Sequence, residues 1–326
     1  MLLKRSELLA LTNYLYEKRP TFEIKTALIG SLFNVDLERN RVRILLKERE
    51  YDDIAFEYEG LLPDSSNYKT ALVAAGVLTP ENQAEVFKEI REEFGKTIYQ
   101  RPRPLYASFD TNAFVNRTTF HLQNAVEKGA FVVAEGVRHE LFREKERCYT
   151  EYEIRELRMK SKGFEEFLNQ PKVVERIFRM GRAEYSRFRS STVLEEIPSE
   201  AGDNEIAEAL RRFARERNCD VWIITFDKNM YDIAAGFGLK PLLLDIPKVE
   251  GQVEADWEKI ADLIYTTSLV FGYVTISGIE IFGVWRGKSP SDWSREAVKV
   301  KIKDEEFKRE VEVLRELERI VRRPAR

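Results

Sequence analysis

Soft metal ligands are scarce in this chain: its 326 residues hold two cysteines, Cys148 and Cys219, and two histidines, His121 and His139. None forms a CxxC or HxxxH pair, so zinc fingers, zinc ribbons and iron–sulfur clusters are excluded. A disulfide framework is excluded with them, which points to a reducing interior. His121 and His139 are expected in packing or surface roles. Long hydrophobic runs are missing as well. The most continuous apolar stretch, Ala71 to Leu78, falls far short of the roughly 20 residues that span a bilayer. The start, Met1-Leu2-Leu3-Lys4-Arg5, turns charged before a signal-type apolar core of about 7 to 15 residues can form. A cytoplasmic protein without membrane contact is expected. Phosphate-cradling glycine patterns of the type GxxxxGKS or GxxxxGKT do not occur, so P-loop nucleotide hydrolysis is not supported.

An excess of one charge is also lacking. Against 53 Lys plus Arg stand 56 Asp plus Glu, a net of −3, although 33% of all residues are charged. An evenly spread −3 provides no basic field for a polyanion. High Lys, Arg and Glu with few Cys and Met is the composition of heat-adapted proteins, in which ion-pair networks become less costly as temperature rises.

The length allows two or three domains. Prolines and arginines around Arg101-Pro102-Arg103-Pro104 mark one boundary, and Pro247 marks a second. Residues 1–100 are expected to form an α+β accessory domain. It opens with a helix patterned by Leu8, Leu11 and Leu15 that ends before Pro20. Half-buried strands follow around Phe22-Ile24, Val42-Ile44 and Ile54-Phe56-Tyr58, then two helices on either side of Thr79-Pro80. Residues 248–326 are expected to form a second accessory segment: a helix near Trp257 to Leu263, strands Val270–Ser277, Ile279–Trp285 and Val298–Ile302, and a terminal helix marked by Phe307, Val311, Leu314, Leu317 and Val321. The exposed side of that helix and the sheet edges offer surfaces for homo-oligomer contacts.

The middle block, residues 104–247, has a different rhythm. Leu105–Phe109, Phe131–Ala134, Val221–Phe226 and Pro241–Leu244 are short β-rich runs separated by helical patterns, with a weaker strand at Val193–Ile197. That is the pattern of βαβ units on a mostly parallel sheet sandwiched by helices, an α/β fold. In such sheets ligands bind outside the carboxyl ends of the strands. Acidic residues stand at those ends: Asp110-Thr111-Asn112 after the first strand, Glu140 on the helix after the second, Gly202-Asp203-Asn204-Glu205 after the weaker strand, and Asp227 after Thr225-Phe226. Each Asp alone reads as a helix N-cap. Together on one sheet edge they would repel one another unless cations neutralise them, and an all-oxygen set suits one or two Mg²⁺ or Mn²⁺ ions, the setting of phosphoryl chemistry.

This order of strand, Asp110-Thr111-Asn112, helix-borne Glu140, Gly202-Asp203-Asn204-Glu205-Ile206-Ala207 opening a helix, and Thr225-Phe226-Asp227 closing a strand resembles the PIN domain nucleases over residues 104–247. The resemblance implies a divalent-metal-dependent endoribonuclease that cuts RNA, single-stranded or structured. Asp110, Glu140, Asp203 and Asp227 would be its catalytic, metal-holding acids, and Asn112 and Thr225 would orient them. Glu205 could join or replace Asp203. The span from Glu140 to Asp203 exceeds that of compact toxin-type members, and no antitoxin partner is indicated. A stripe of Lys172, Arg176, Arg179 and Arg182, in a segment with six basic and two acidic residues between 172 and 189, would track the RNA phosphates; its plainer reading is a solvated helix face. The rival functions are a catalytically inactive RNA-binding or scaffold protein that keeps the fold, and a structure-selective DNA nuclease, although no duplex-reading motif supports the latter. A small-molecule phosphohydrolase working through an aspartyl phosphate is disfavoured, because Asp110 lacks a second Asp two residues on.

Overall fold

Local patterning sets most of the elements in the amino-terminal block. The computed structural model describes residues 1–58, 61–97, 99–119, 130–143, 146–192 and 194–321; His121 and Val193 lie outside the described residues. Strand β1 (Leu2–Lys4) leads to helix α1 (Leu8–Lys18), which stops before Pro20 as the clash between a proline ring and the preceding residue requires. Strands β2 (Thr21–Thr26), β3 (Gly30–Asp36) and β4 (Arg41–Ile44) form an antiparallel meander. Phe22, Ile24, Val42 and Ile44 point to one buried face. Helices α2 (Glu48–Glu57), α3 (Ser65–Ala74) and α4 (Gln83–Phe94) follow.

The alternation at Ile54-Phe56-Tyr58 therefore does not make a strand. Tyr51 is fully buried, stacked on Tyr68 with ring centroids 4.5 Å apart, and its hydroxyl donates to Pro63 O at 2.6 Å. Helical spacing from Tyr51 outweighs the period-two pattern, and Phe56 is left 82% exposed.

The central block supplies β5 (Leu105–Phe109), α5 (Thr111–Val115), β6 (Phe131–Ala134), α6 (Glu135–Leu141), α7 (Glu151–Lys160), α8 (Val173–Ser191), β7 (Leu194–Ile197), α9 (Asp203–Glu216), β8 (Asp220–Thr225), α10 (Lys228–Gly236) and β9 (Lys240–Leu243). All five strands run parallel in the order β7-β6-β5-β8-β9. The chain winds outward one way from β5 and then returns to wind the other way, so the topological switch lies at β5 and β8, where an α/β sheet opens a crevice at its carboxyl ends. Phe188 of α8 meets Phe109, Phe114 and Phe131 edge-on at 5.4, 5.9 and 5.0 Å, geometry favoured by the ring quadrupoles. Helix α8 comes close to α5 and α6 because of Gly181: a Cβ there would lie 2.7 Å from Leu141 Cδ2.

The last block contributes β10 (Gln252–Glu254), α11 (Trp257–Phe271), β11 (Tyr273–Ile276), β12 (Ile279–Phe282), α12 (Pro290–Ser294), β13 (Ala297–Lys301) and α13 (Glu305–Val321). The strand expected from Val270 begins later. Every residue from Leu263 to Phe271 is buried, so α11 continues between α1, α3 and α8 until Gly272, whose φ of 87° ends it. Ser277 and Gly278, with φ of 49° and 83°, make the tight turn between β11 and β12.

The flanking blocks are not separate domains. Their strands interleave in one eight-stranded antiparallel sheet, β1-β13-β12-β11-β2-β3-β4-β10, in which β1 pairs with β13, β11 with β2 and β10 with β4. Neither block can satisfy its strand edges without the other.

A buried ionic chain links this sheet to the parallel layer. Arg5 grips Asp262 of α11 through two bonds of 2.6 and 2.5 Å. Arg117 lies 3.4 Å from Asp262 and 3.8 Å from Glu184 of α8, and donates to Ala74 O at 3.0 Å. Thr119 donates to Glu184 at 2.7 Å, and Arg187 joins Glu184 at 2.7 Å to Glu296. Burial pushes the Asp262 and Glu184 carboxyls up, and Arg5 and Arg187 oppose the rise. Among the described residues, no helix is long and apolar enough to cross a membrane.

Candidate active site at the carboxyl ends of the parallel strands

Three aspartates are linked through Thr225 and Asn229 where β5 and β8 end. Asp110 caps α5 by accepting from Ala113 N at 2.8 Å, and Asp227 caps α10 by accepting from Asn229 N at 2.7 Å. Because β5 and β8 are adjacent, the two caps sit at neighbouring strand ends. Asp203 follows the edge strand β7, but the 198–202 loop brings it back, and Asn229 Nδ2 donates to Asp203 Oδ2 at 2.8 Å. Thr225, the last residue of β8, completes the link: its hydroxyl donates to Asp110 Oδ2 at 2.5 Å and accepts from Asp227 N at 2.8 Å.

Asp110 is only 4% exposed. Burial pushes its carboxyl up to about 7; the hydrogen bonds from Thr225 and Ala113 oppose the rise, while the negative charges of Asp227 and Asp203 add to it. Thr225 and Asn229 thus join the three acids in one hydrogen-bonded chain.

Glu140 is held differently. Its Oε2 accepts from the Thr111 hydroxyl and its Oε1 from Gly202 N at 3.0 Å. It thereby ties α6 to the residue after Asp110 and to the turn before Asp203, with both oxygens already engaged. Gly202 is required there: its φ is 118°, and a Cβ would collide with the Glu205 carboxylate, which folds back over the turn. Glu205 thus faces the loop at the start of α9. Among the described residues the Asn112 side chain has no hydrogen-bond partner; Thr111, Asn229 and Thr225 do the orienting. Thr111 and Asn229 were not singled out in the sequence, although Asn229 stands two residues after a capping Asp, the spacing of an Asx-type turn.

The donor set is all oxygen, as a hard divalent cation demands. Among the described residues, no three His, Cys, Asp or Glu side chains converge closely enough to hold a metal ion. The fit lies in charge and chemistry: a cation beside Asp110, Asp203 and Asp227 would relieve the repulsion that raises Asp110, and each carboxylate oxygen keeps a lone pair beyond its present hydrogen bond.

The basic stripe is placed otherwise than expected. Arg176 is 1% exposed, enclosed by the rings of Phe167 and Tyr149 at 5.6 and 6.0 Å, and cannot touch RNA. Lys172 pairs with Glu153. Arg179 grips Glu146 and stacks over Trp293 at 4.5 Å, and Arg182 donates to Leu141 O and pairs with Glu146 at 2.9 Å. Helical spacing put these cations on one stripe, but that stripe packs against the 146–171 segment and α12 instead of facing solvent.

No protein-family model matches the chain, and no curated protein is significantly similar to it.

Proposed function

We propose that the chain is a divalent-metal-dependent nuclease that hydrolyses RNA phosphodiester bonds at the carboxyl ends of β5 and β8. The observation that carries this reading is the hydrogen-bonded set of Asp110, Asp227 and Asp203 at a topological switch point, with Asp110 buried and its carboxyl pushed up by that burial. The PIN-like order of the acidic motifs supports RNA as the polymer.

Asp110, Asp203 and Asp227 would hold Mg²⁺ or Mn²⁺, and Glu140 would complete the set after releasing Thr111. Bound there, the metal supplies water activation and charge stabilisation during phosphoryl transfer. The chain's own part is positional. Thr225 fixes the Asp110 carboxylate and the Asp227 backbone with one hydroxyl, and Asn229 fixes Asp227 and Asp203 with its amide and side chain.

The test is cleavage of labelled single-stranded RNA and DNA with Mn²⁺ or with EDTA, comparing the wild type with Asp110→Asn and Asp227→Asn. Mn²⁺-dependent RNA cleavage abolished in both variants is expected. Metal-independent cleavage, or cleavage unchanged in both variants, sinks the proposed site. Tight, salt-sensitive binding without cleavage favours the RNA-binding scaffold, and preferential cutting of DNA favours the DNA nuclease.

A further inference from the structure

With Arg176 buried and Lys172, Arg179 and Arg182 paired, two cations open to a polyanion stand on α6 and near the end of α8. A cleft of 430 Å³ opens between α6, the helix that carries Glu140, and the carboxyl-terminal half of α8, lined by Arg138, Phe142, Tyr185, Ser186, Arg189 and Ser190. Its size lies within the range of small-ligand pockets. Residues two apart on a helix point about 200° apart, so Arg138 lies on the face of α6 opposite Glu140.

The chemistry of the lining is specific. Among the described residues, the Arg138 and Arg189 side chains, 38% and 59% exposed, make loose ion pairs at 3.7 Å to Glu135 and 3.5 Å to Glu196. Such long surface pairs are weak, and a phosphate can displace them. Arg138 Nε is buried without a hydrogen-bond partner among the described residues, a donor still to be satisfied. Glu196 at the rim accepts from the Tyr185 hydroxyl at 2.5 Å, which ties it to the wall. Phe142 is 43% exposed; the Tyr185 ring meets it edge-on at 6.0 Å and the Arg182 guanidinium lies over its ring at 5.5 Å, so part of the aromatic ring is open to solvent beside Arg138 and Arg189. Two arginines, the Ser186 hydroxyl and a partly open ring match a phosphate joined to a flat base, while the Ser190 hydroxyl is spent on Arg187 O at 2.8 Å.

We propose that this cleft is a nucleotide subsite that takes the phosphate and base of an unpaired ribonucleotide in the strand served by the carboxylate site. The phosphate rests on Arg138 and Arg189, and the base stacks on Phe142. The strand's path rests on the nuclease reading, but binding at the cleft needs no cleavage.

The test is fluorescence anisotropy of a fluorescein-labelled oligouridylate with the full chain in EDTA, across a salt series. Arg138→Gln/Arg189→Gln is expected to weaken binding at least tenfold at low salt and to flatten the log–log salt slope by about 0.7 for each phosphate no longer neutralised. Phe142→Ala is expected to weaken binding roughly tenfold with the slope unchanged, since stacking releases no counterions. Arg189→Gln alone, at an exposed side chain, must also weaken binding, which removes misfolding as the cause. Wild-type affinity in any of these variants, or no binding of the strand by the wild type, overturns the proposal. Displacement by adenosine monophosphate as effective as by unlabelled strand overturns it too, in favour of a free-nucleotide site. Binding through this cleft without Mn²⁺-dependent cleavage would refute the nuclease reading and leave the subsite standing. Cleavage with unaltered binding in the variants would do the reverse.

Discussion

Replacing Asp110 by Asn should make the metal-free protein more stable, by an amount that depends on pH in a set direction. A carboxyl raised by folding is protonated in both states at low pH, so its charge costs nothing there; the cost builds as pH rises from the unfolded value and is complete above the folded one. For Asp110 those limits are 3.8 and about 7. At about 1.4 kcal/mol per pH unit, ionised Asp110 destabilises the metal-free fold by about 4 kcal/mol above pH 7, an upper limit. Asn keeps the carbonyl that caps Ala113 N and offers its amide to the Thr225 hydroxyl, so little else changes. Unfolding entropy near 2.1 cal/mol/K per residue over 326 residues converts this to a rise of roughly 6 °C in Tm. The assay is thermal unfolding of both proteins in EDTA at pH 4 and pH 8. The two proteins should match at pH 4 and separate at pH 8, and Mn²⁺ at pH 8 should raise the Tm of the wild type more than that of the variant. A variant no more stable than the wild type at pH 8, or a gap independent of pH, would refute the electrostatic account of the site.

Three other outcomes are expected. Thr225→Val removes the donor to Asp110 and the acceptor for Asp227 N, so Mn²⁺-dependent cleavage should fall 10- to 100-fold and stability by about 1–3 kcal/mol, with Thr225→Ser restoring both; unimpaired turnover would deny Thr225 its positioning role. Arg117→Met leaves Asp262 and Glu184 short of a buried partner and should cost about 3–5 kcal/mol in urea unfolding, whereas Lys172→Met, which breaks a surface pair, should stay within about 1 kcal/mol; equal losses would contradict the network. Gly136→Ala would drive a Cβ into the Glu200 carbonyl and separate Gly136 N from Ser199 Oγ, so α6 must shift, with a stability decrease of about 1–3 kcal/mol and faster amide exchange at Gly202; unchanged exchange would show that α6 does not hold the Asp203 turn.

The parallel layer was legible because each of its strands is a short apolar run bounded by turns, and its acids because a βα turn needs a cap just where the sheet exposes a ligand site. Asp110 and Asp227 are visible on both counts; Asp203, read as a cap in the sequence, is the first residue of α9 with Gly202 at the cap, and shows only by its place after a strand. Their connections were not: Asn229 reaches Asp203 across 26 residues, and no local pattern encodes that contact. The basic stripe failed for the same reason in reverse. Spacing reveals which cations share a helix face, but Arg176 lies against Phe167 and Tyr149 only because the segment preceding α8 folds back over it. At Ile54-Phe56-Tyr58 two periodicities competed, and burial of Tyr51 decided for the helix. The interleaving of the two ends was beyond reach, since antiparallel partners hundreds of residues apart leave no trace in either strand alone.

That interleaving orders events at the ribosome. When β9 emerges, every strand of the parallel sheet has been synthesised, while the antiparallel sheet still lacks β10 to β13, four of its eight strands. Its early strands β1 to β4 must wait for partners that arrive last, and β1 closes only when β13 is made, with Val300 N donating to Met1 O at 2.8 Å. The acidic cleft can thus take shape on the nascent chain before the layer behind it is complete, and a stalled or truncated product would carry a formed cleft beside open strand edges, a species prone to aggregate.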